Sequence, residues 1–186
     1  MTENELEALR RDIFAHLRMA VRRRKHPWRT PTLSTVDLDG FPRARIVVLR
    51  QATMDFLELH TDVRSDKFTE LKQNPNIAWT FWDRSRQTQI RVRGKVTLHH
   101  NDDVSSKVHQ GLSEGALKAY KVSPAPGTPI PTRYDYNLDE DSSAHFAVIR
   151  CYYTEIDWLH LDRKGHERAL FRRTPENEWA SRFIAP

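Results

Sequence analysis

Residues 58–75 read ELHTDVRSDKFTELKQNP, which sets Thr61, Arg64, Ser65 and Lys67 close together in the chain. Hydroxyl, guanidinium and ammonium groups at this spacing are donors suited to an anion. The pattern from Asp66 to Gln73 predicts a short helix stopped by Asn74-Pro75, with Ser65 as its N-cap. Backbone N–H groups near Lys67 and Phe68 would then point outward at the positive end of the helix dipole, where a second positive charge is locally unfavourable. The cluster suits a bound phosphate or carboxylate. The competing reading makes Arg64 and Lys67 ordinary solvated charges.

More polar residues fall at the ends of predicted strands: Arg45 and Arg50 bounding Ile46-Val47-Val48-Leu49, then Gln89, Trp158 and Arg168. In an all-β domain, convergent cations with an aromatic suit a planar phosphorylated ligand, with arginines on the phosphate and stacking on the ring. Other chemistries have less support. The chain has no GxGxxG after a strand, no GxxxxGK[ST] and no GxSxG. Cys151 has no histidine at useful spacing. His99-His100 with Asp102 and Asp103 reads as surface rather than as a metal site, because adjacent side chains on a strand point to opposite faces.

These residues need elements to hold them. Leu6, Leu9, Ile13, Leu17, Ala20 and Val21 recur at helical spacing and predict an amphipathic helix over 3–23, followed by the basic run Arg22-Arg23-Arg24-Lys25. That run is the main support for a nucleic-acid module, but it reads first as a solvated helix end favoured by the dipole. From Thr32 the period becomes two, with TLSTVDLDG and FPRARIVVLR joined through Asp39-Gly40, then strands over 55–61, 77–82 and 87–98. Residues 102–120 predict two short helices interrupted by Gly111 and Gly115. The Pro-rich segment 122–143 has no periodicity and reads as a functional flap or a disordered loop. Residues 145–186 return to strands: HFAVIRCYY, TEIDWLHL, HERALFRR and EWASRFIAP. The whole is expected to be one domain over 1–186, mainly β with flanking helices, a meander of about eight strands closing into a barrel.

Composition narrows the setting. Thirty Lys and Arg against 25 acids give a net charge of +5, which favours anionic partners without naming one. A single cysteine excludes an internal disulfide and any multi-cysteine zinc site, and points to the reducing cytoplasm. No apolar run is long enough for a membrane span, and the N-terminal residues contain no signal-peptide core.

The ordered motifs RxRIVVLR, LHTDxRSxK, NPxIAWTFW and QxRVxG, followed by W, HER, W and RxxAP, closely resemble the pyridoxamine 5′-phosphate oxidase family. The similarity runs from about Thr30 to Pro186 and is weak between roughly 99 and 144. It implies an FMN-binding split β-barrel that works as a homodimer on a small-molecule substrate. Arg45 to Arg50 would border the flavin, with the Arg45 guanidinium on its phosphate. His60 and Thr61 stand where the family has Tyr-Thr, Lys67 matches the phosphate lysine, and Gln89 matches a glutamine on the flavin ring. Trp158 and Arg168, ten residues apart as in the family, would approach the same cofactor from the partner subunit. Where the family has Ser-Arg-Lys, this chain has Ser65-Asp66-Lys67, and Arg64 is the candidate to replace the missing cation.

The substrate side departs from the family. The lysine that ends the Arg45 strand is Arg50, and the Tyr, Arg and Ser spaced along a helix become Lys107, Gly111 and Gly115 if Tyr120 aligns with the closing aromatic. Arg-x-His becomes Lys164-Gly165-His166. The resemblance therefore implies an FMN-dependent oxidoreductase with an altered substrate, touched by Arg50, Lys164 and His166. The alternatives are a true pyridoxamine 5′-phosphate oxidase and a non-catalytic flavin-binding protein. No residue is assigned as a catalytic acid or base.

Overall fold

The protein is described from a computed structural model covering residues 3–186. Helix α1 (Glu3–Arg22) buries Leu6, Ile13, Phe14, Leu17 and Ala20 in the main core, as its apolar spacing dictates. A 3₁₀ turn at Pro27–Arg29 then carries Trp28 inward against Phe81. Strands β1 (Thr32–Val36), β2 (Pro42–Ile46), β3 (Gln51–Ala52) and β4 (Phe56–Asp62) lead to helix α2 (Asp66–Gln73). β5 (Asn76–Asp83) and the long β6 (Thr88–His99) follow, then α3 (Asp103–Gln110) and α4 (Glu114–Leu117). The segment 122–143 holds only the small pair β7 (Val122–Ser123) and β8 (Asn137–Leu138). The chain closes with β9 (Phe146–His160), β10 (Glu167–Arg173) and β11 (Trp179–Phe183).

The strands form one antiparallel sheet in the order β11-β10-β9-β6-β5-β1-β2, with β4 added to β9 and β3 to β4. β9 is where the sheet forks. Its first half pairs with β4 (Leu57 opposite Cys151), its second half pairs with β10 (Phe171 opposite Ile156), and β6 runs along both halves. Phe146, Ala147, Val148 and Ile149 are all buried because this stretch serves two cores. Ala147 and Ile149 face the main core, whereas Phe146 and Val148 pack beneath Tyr120 with Val104, Val108, Leu112 and Leu117 of the α3–α4 region.

The predicted break between HFAVIRCYY and TEIDWLHL is absent, since β9 is continuous over 15 residues. A register shift opposite Arg93 and Gly94 inserts Thr154 and changes which residues point inward, from Cys151 and Tyr153 before it to Ile156 after it. That change of phase imitates a strand end. Gly94 is required there: a Cβ would stand 2.1 Å from the Tyr152 carbonyl oxygen and 2.7 Å from Cys151 Sγ. The glycines of the helical region divide their roles. Gly111 follows α3, as expected, but Gly115 lies inside α4, whose N-cap is Ser113. Arg45 sits next to the end of β2 rather than starting a strand. The following Val47–Arg50 stretch is irregular and is tied by Val47 N to Pro31 O, Leu49 N to Arg29 O and Arg50 N to Glu58 O at 2.9–3.0 Å.

Candidate functional site

Ser65 is the N-cap residue of α2, as its sequence position predicts, but its hydroxyl does not cap the helix. Instead Ser65 Oγ donates to Asp62 O at 2.6 Å and lies 3.1 Å from Thr61 Oγ1. The N–H groups of Asp66 and Lys67 have no protein acceptor among the described residues. Lys67 Nζ reaches Thr61 Oγ1 at 3.1 Å. Burial pushes the Lys67 amine below its ordinary pKa, and Arg45 adds to the effect. A half-buried ammonium with no carboxylate in hydrogen-bond reach, next to free N–H groups at a helix start, is matched by an anion. Arg43, Ala44, Arg45, Ser65, Asp66 and Lys67, with Pro126 and Gly127 of the long loop, line an open cavity of about 270 Å³ there, in which the three cations outnumber the Asp66 carboxylate.

Arg45 lines this cavity but is anchored from behind. Its Nη2 donates to the buried Glu70 carboxylate at 3.0 Å and its Nη1 to Thr35 Oγ1, which in turn donates to Glu70. Arg64 lies elsewhere. It grips Asp62 through Nε at 3.0 Å and Nη2 at 2.7 Å and also donates to Val122 O at 2.8 Å. It fastens the start of the Pro-rich segment, and the sequence reading of Arg64 as the replacement phosphate cation finds no support in this geometry. Asp62, which holds it, was missed because an aspartate beside an arginine at that spacing carries no signal of its own.

His60 is not beside Thr61 in direction, because successive strand residues point to opposite faces. It faces the α3 side, with Glu58 and Arg150: His60 Nε2 is 3.2 Å from Glu58 Oε1, and Arg150 Nε donates to Glu58 Oε2 at 2.9 Å. Burial alone would raise the Glu58 carboxyl, but the His60 and Arg150 hydrogen bonds outweigh it and hold it below the usual carboxylate range. His60 Nδ1 is buried without a protein partner. This triad floors an open cleft of about 610 Å³ whose walls carry Arg29, Arg50, Lys107 and Gly111. Arg50, Lys107 and Gly111 thus meet in one place, as the sequence alignment expected, while Gly115 does not line it. Charged residues interrupting apolar alternation at Glu58 and Arg150 were the available signal for the triad.

Gln89 and Arg168 share the opposite, outer face of the sheet, each paired to Leu159. There Arg168 forks onto Asp157, with Nε–Oδ1 at 3.1 Å and Nη2–Oδ2 at 2.8 Å, and Arg91 binds the same carboxylate. Arg93 and Arg172 treat Glu155 likewise. Trp158 pairs with Ile90 and Ala169 on the inner face, so within one chain it does not share a face with Arg168. Lys164 and His166 occupy the exposed β9–β10 turn and line neither the cavity nor the cleft. Ile46 is 66% exposed on the outer side of β2, and Val47, Val48 and Leu49 pass between the Arg45 cavity and the Arg50 cleft, Leu49 fully buried.

An antiparallel β fold with a half-buried lysine, paired hydroxyls and a helix start beside an anion-sized cavity is the make-up of a protein that holds a phosphorylated ligand. Residues 11–100 match the family model of the pyridoxamine 5′-phosphate oxidase FMN-binding domain. A pyridoxine/pyridoxamine 5′-phosphate oxidase of Leptospira interrogans is 29% identical over 166 residues, covering 83% of this chain and 78% of that protein. The structure of a pyridoxamine 5′-phosphate oxidase-related, FMN-binding protein of Nostoc punctiforme superposes with a TM-score of 0.78 at 26% identity, covering 95% of this chain and 97% of that one. PhzG of Burkholderia lata shares the fold, with a TM-score of 0.74 at 18% identity over 96% of this chain and 91% of its own. The chain is similar along most of its length to pyridoxamine 5′-phosphate oxidase-like FMN-binding proteins, and its cofactor is FMN. The Lys67 cavity fits that cofactor's phosphate in the chemistry of its donors: an ammonium, hydroxyls and helix N–H groups.

Proposed function

We infer that the protein is a cytoplasmic, homodimeric FMN-dependent oxidoreductase of split-barrel architecture whose substrate differs from that of its named relatives. The observation that carries this reading is the half-buried Lys67 ammonium at the start of α2, unpaired by any carboxylate within hydrogen-bond reach. Thr61, Ser65, Lys67 and Arg45 would hold the flavin phosphate, Arg45 kept in place by Glu70. The Val47–Leu49 backbone would border the ring. Gln89 and Arg168 would serve a flavin through the outer face of the sheet, with a second copy of the chain completing the site, and Trp158 would close it from the inner face. When bound, FMN supplies hydride acceptance; the protein supplies position and electrostatics. Arg50 would orient the substrate, with Lys164 and His166 contributed by the partner.

The altered substrate follows from the cleft. It offers Lys107 and Gly111 where the family resemblance leads one to expect a hydroxyl and a guanidinium, so donors for a monophosphate ester are fewer and differently shaped. One observation favours the second reading, a true pyridoxamine 5′-phosphate oxidase: Arg50 and Lys107 converge on one cleft and could share a phosphate. Anaerobic mixing of the FMN-loaded protein with pyridoxamine 5′-phosphate, followed at the flavin absorbance, decides between them. Slow or absent reduction is expected. Reduction at about 1 per second or faster, within the ordinary enzyme range, would establish the second reading.

A further inference from the structure

The cleft between α1, α3 and the β4–β9 face is unusually one-sided in charge. Arg29, Arg50, Lys107 and Arg150 line it against the single carboxylate of Glu58. That carboxylate is already spent, one oxygen on His60 and the other on Arg150. The side chains of Arg50 and Lys107 make no hydrogen bond or ion pair among the described residues. Arg29 is held by one edge only: its Nη1 donates to Val21 O and, at 3.5 Å, to Ala20 O, the carbonyls that end α1. Its Nε and Nη2 have no partner among the described residues. Burial lowers the Arg29 pKa, and Arg50 and Arg24 lower it further, so these cations repel one another at close range with no protein anion between them.

Two cationic stations are therefore built into one cleft. Arg50 and Lys107 can share a first anionic group. Arg29, pre-anchored on the end of α1, presents a free guanidinium edge to a second. We propose that the substrate of this site carries two anionic groups, the second recognised by Arg29, which makes Arg29 a specificity-determining residue. This rests on the reading of the cleft as the substrate side of an FMN-dependent oxidoreductase. Val108 and Leu112 on the α3 wall leave an apolar surface for the uncharged part of such a molecule.

The test uses the FMN-loaded protein, so that the Lys67 cavity is already filled, and titrates inorganic phosphate and pyrophosphate by calorimetry at constant ionic strength. Wild type is expected to bind pyrophosphate at least about tenfold more tightly than phosphate, the gain of one added charge-assisted contact. Arg29→Gln should bring the two affinities within about threefold while leaving phosphate binding in place. Lys107→Gln, on an exposed helix position, should weaken both ligands together, and Arg84→Gln, an exposed arginine outside the cleft, should change neither. Should Arg29→Gln fail to fold, Arg29→Lys keeps the charge and is expected to lower the discrimination at least about threefold by losing the planar fork. Equal affinity for the two ions in wild type, or full discrimination in the Arg29 variants, overturns the proposal. Failure to retain FMN would instead overturn the flavoprotein reading, and the two results are independent.

Discussion

Lys67 carries the largest expected effect of a single side chain. Lys67→Ala should weaken FMN binding by about 1 to 3 kcal/mol, the loss of a charge-assisted hydrogen bond, and leave folding intact because a half-buried ammonium without a carboxylate partner costs the apo fold something. Equilibrium dialysis with flavin fluorescence reads it; wild-type retention would refute it. Arg64→Ala should behave differently. It frees Asp62 and Val122 rather than a ligand, so flavin affinity should change less than for Lys67→Ala while protease cutting within residues 124–136 accelerates. The contrast shows what was legible at this scale. A lysine following an N-cap serine is a local pattern, and the sequence displays it whole. The partner of Arg64 is Val122 O, 58 residues away, and the anchor of Arg45 is Glu70, 25 residues away. No spacing rule connects such positions, so Arg64 was legible as a cation and not as a clasp.

Among the elements, β1, β5, β6 and α2 follow from period and caps, because each has one face in a core and one outside it, whereas β4 is covered on both faces and was legible from its alternation alone. β9 escaped that logic. Its first half is buried on both faces and its inward phase changes at Thr154, so alternation could not report its continuity. Gly94 is the element-scale test. Gly94→Ala drives a methyl group into the Tyr152 carbonyl, and the strands there must separate or shift register. Stability should fall by about 1 to 3 kcal/mol or more and Tm by at least about 2 °C in thermal melts. An unchanged Tm would mean that the bulge is softer than its contacts indicate.

For the molecule as a whole, charge sets the acid limit. Burial would raise the Glu58, Glu155 and Asp157 carboxyls, yet the arginines bonded to them hold all three below the usual range, His60 helping at Glu58. Carboxyls depressed in the folded state contribute stability that is complete above their unfolded pKa of about 4 and is lost as pH falls through the folded values. His16 and His26, whose pKa burial lowers, should already weaken the fold as pH falls below about 6.5, and urea midpoints should drop further below about pH 4, with Glu155→Gln, Asp157→Asn flattening that second drop. Assembly has its own test. Lys67→Ala and Arg168→Ala chains, refolded together, should regain tight FMN binding in some sites if each site draws on both subunits; no recovery would assign each site to one chain. The expectation of a dimer comes through resemblance alone, since the outer face of the sheet carries alternating arginines and acids that read as solvated. The forked sheet also has a history in time. Glu58 and Arg150 pair across 92 residues, so during synthesis β4 and β6 wait unpaired along the edges that β9 will fill. At about 5–20 residues per second that interval lasts roughly 5 to 20 seconds, during which a nascent chain exposes open strand edges and half of a flavin pocket. A ribosome stalled before residue 146 would hold a chain with both of those edges open, and only synthesis through β10 and β11 then covers the far edge of β9 with Ala169 and Phe171.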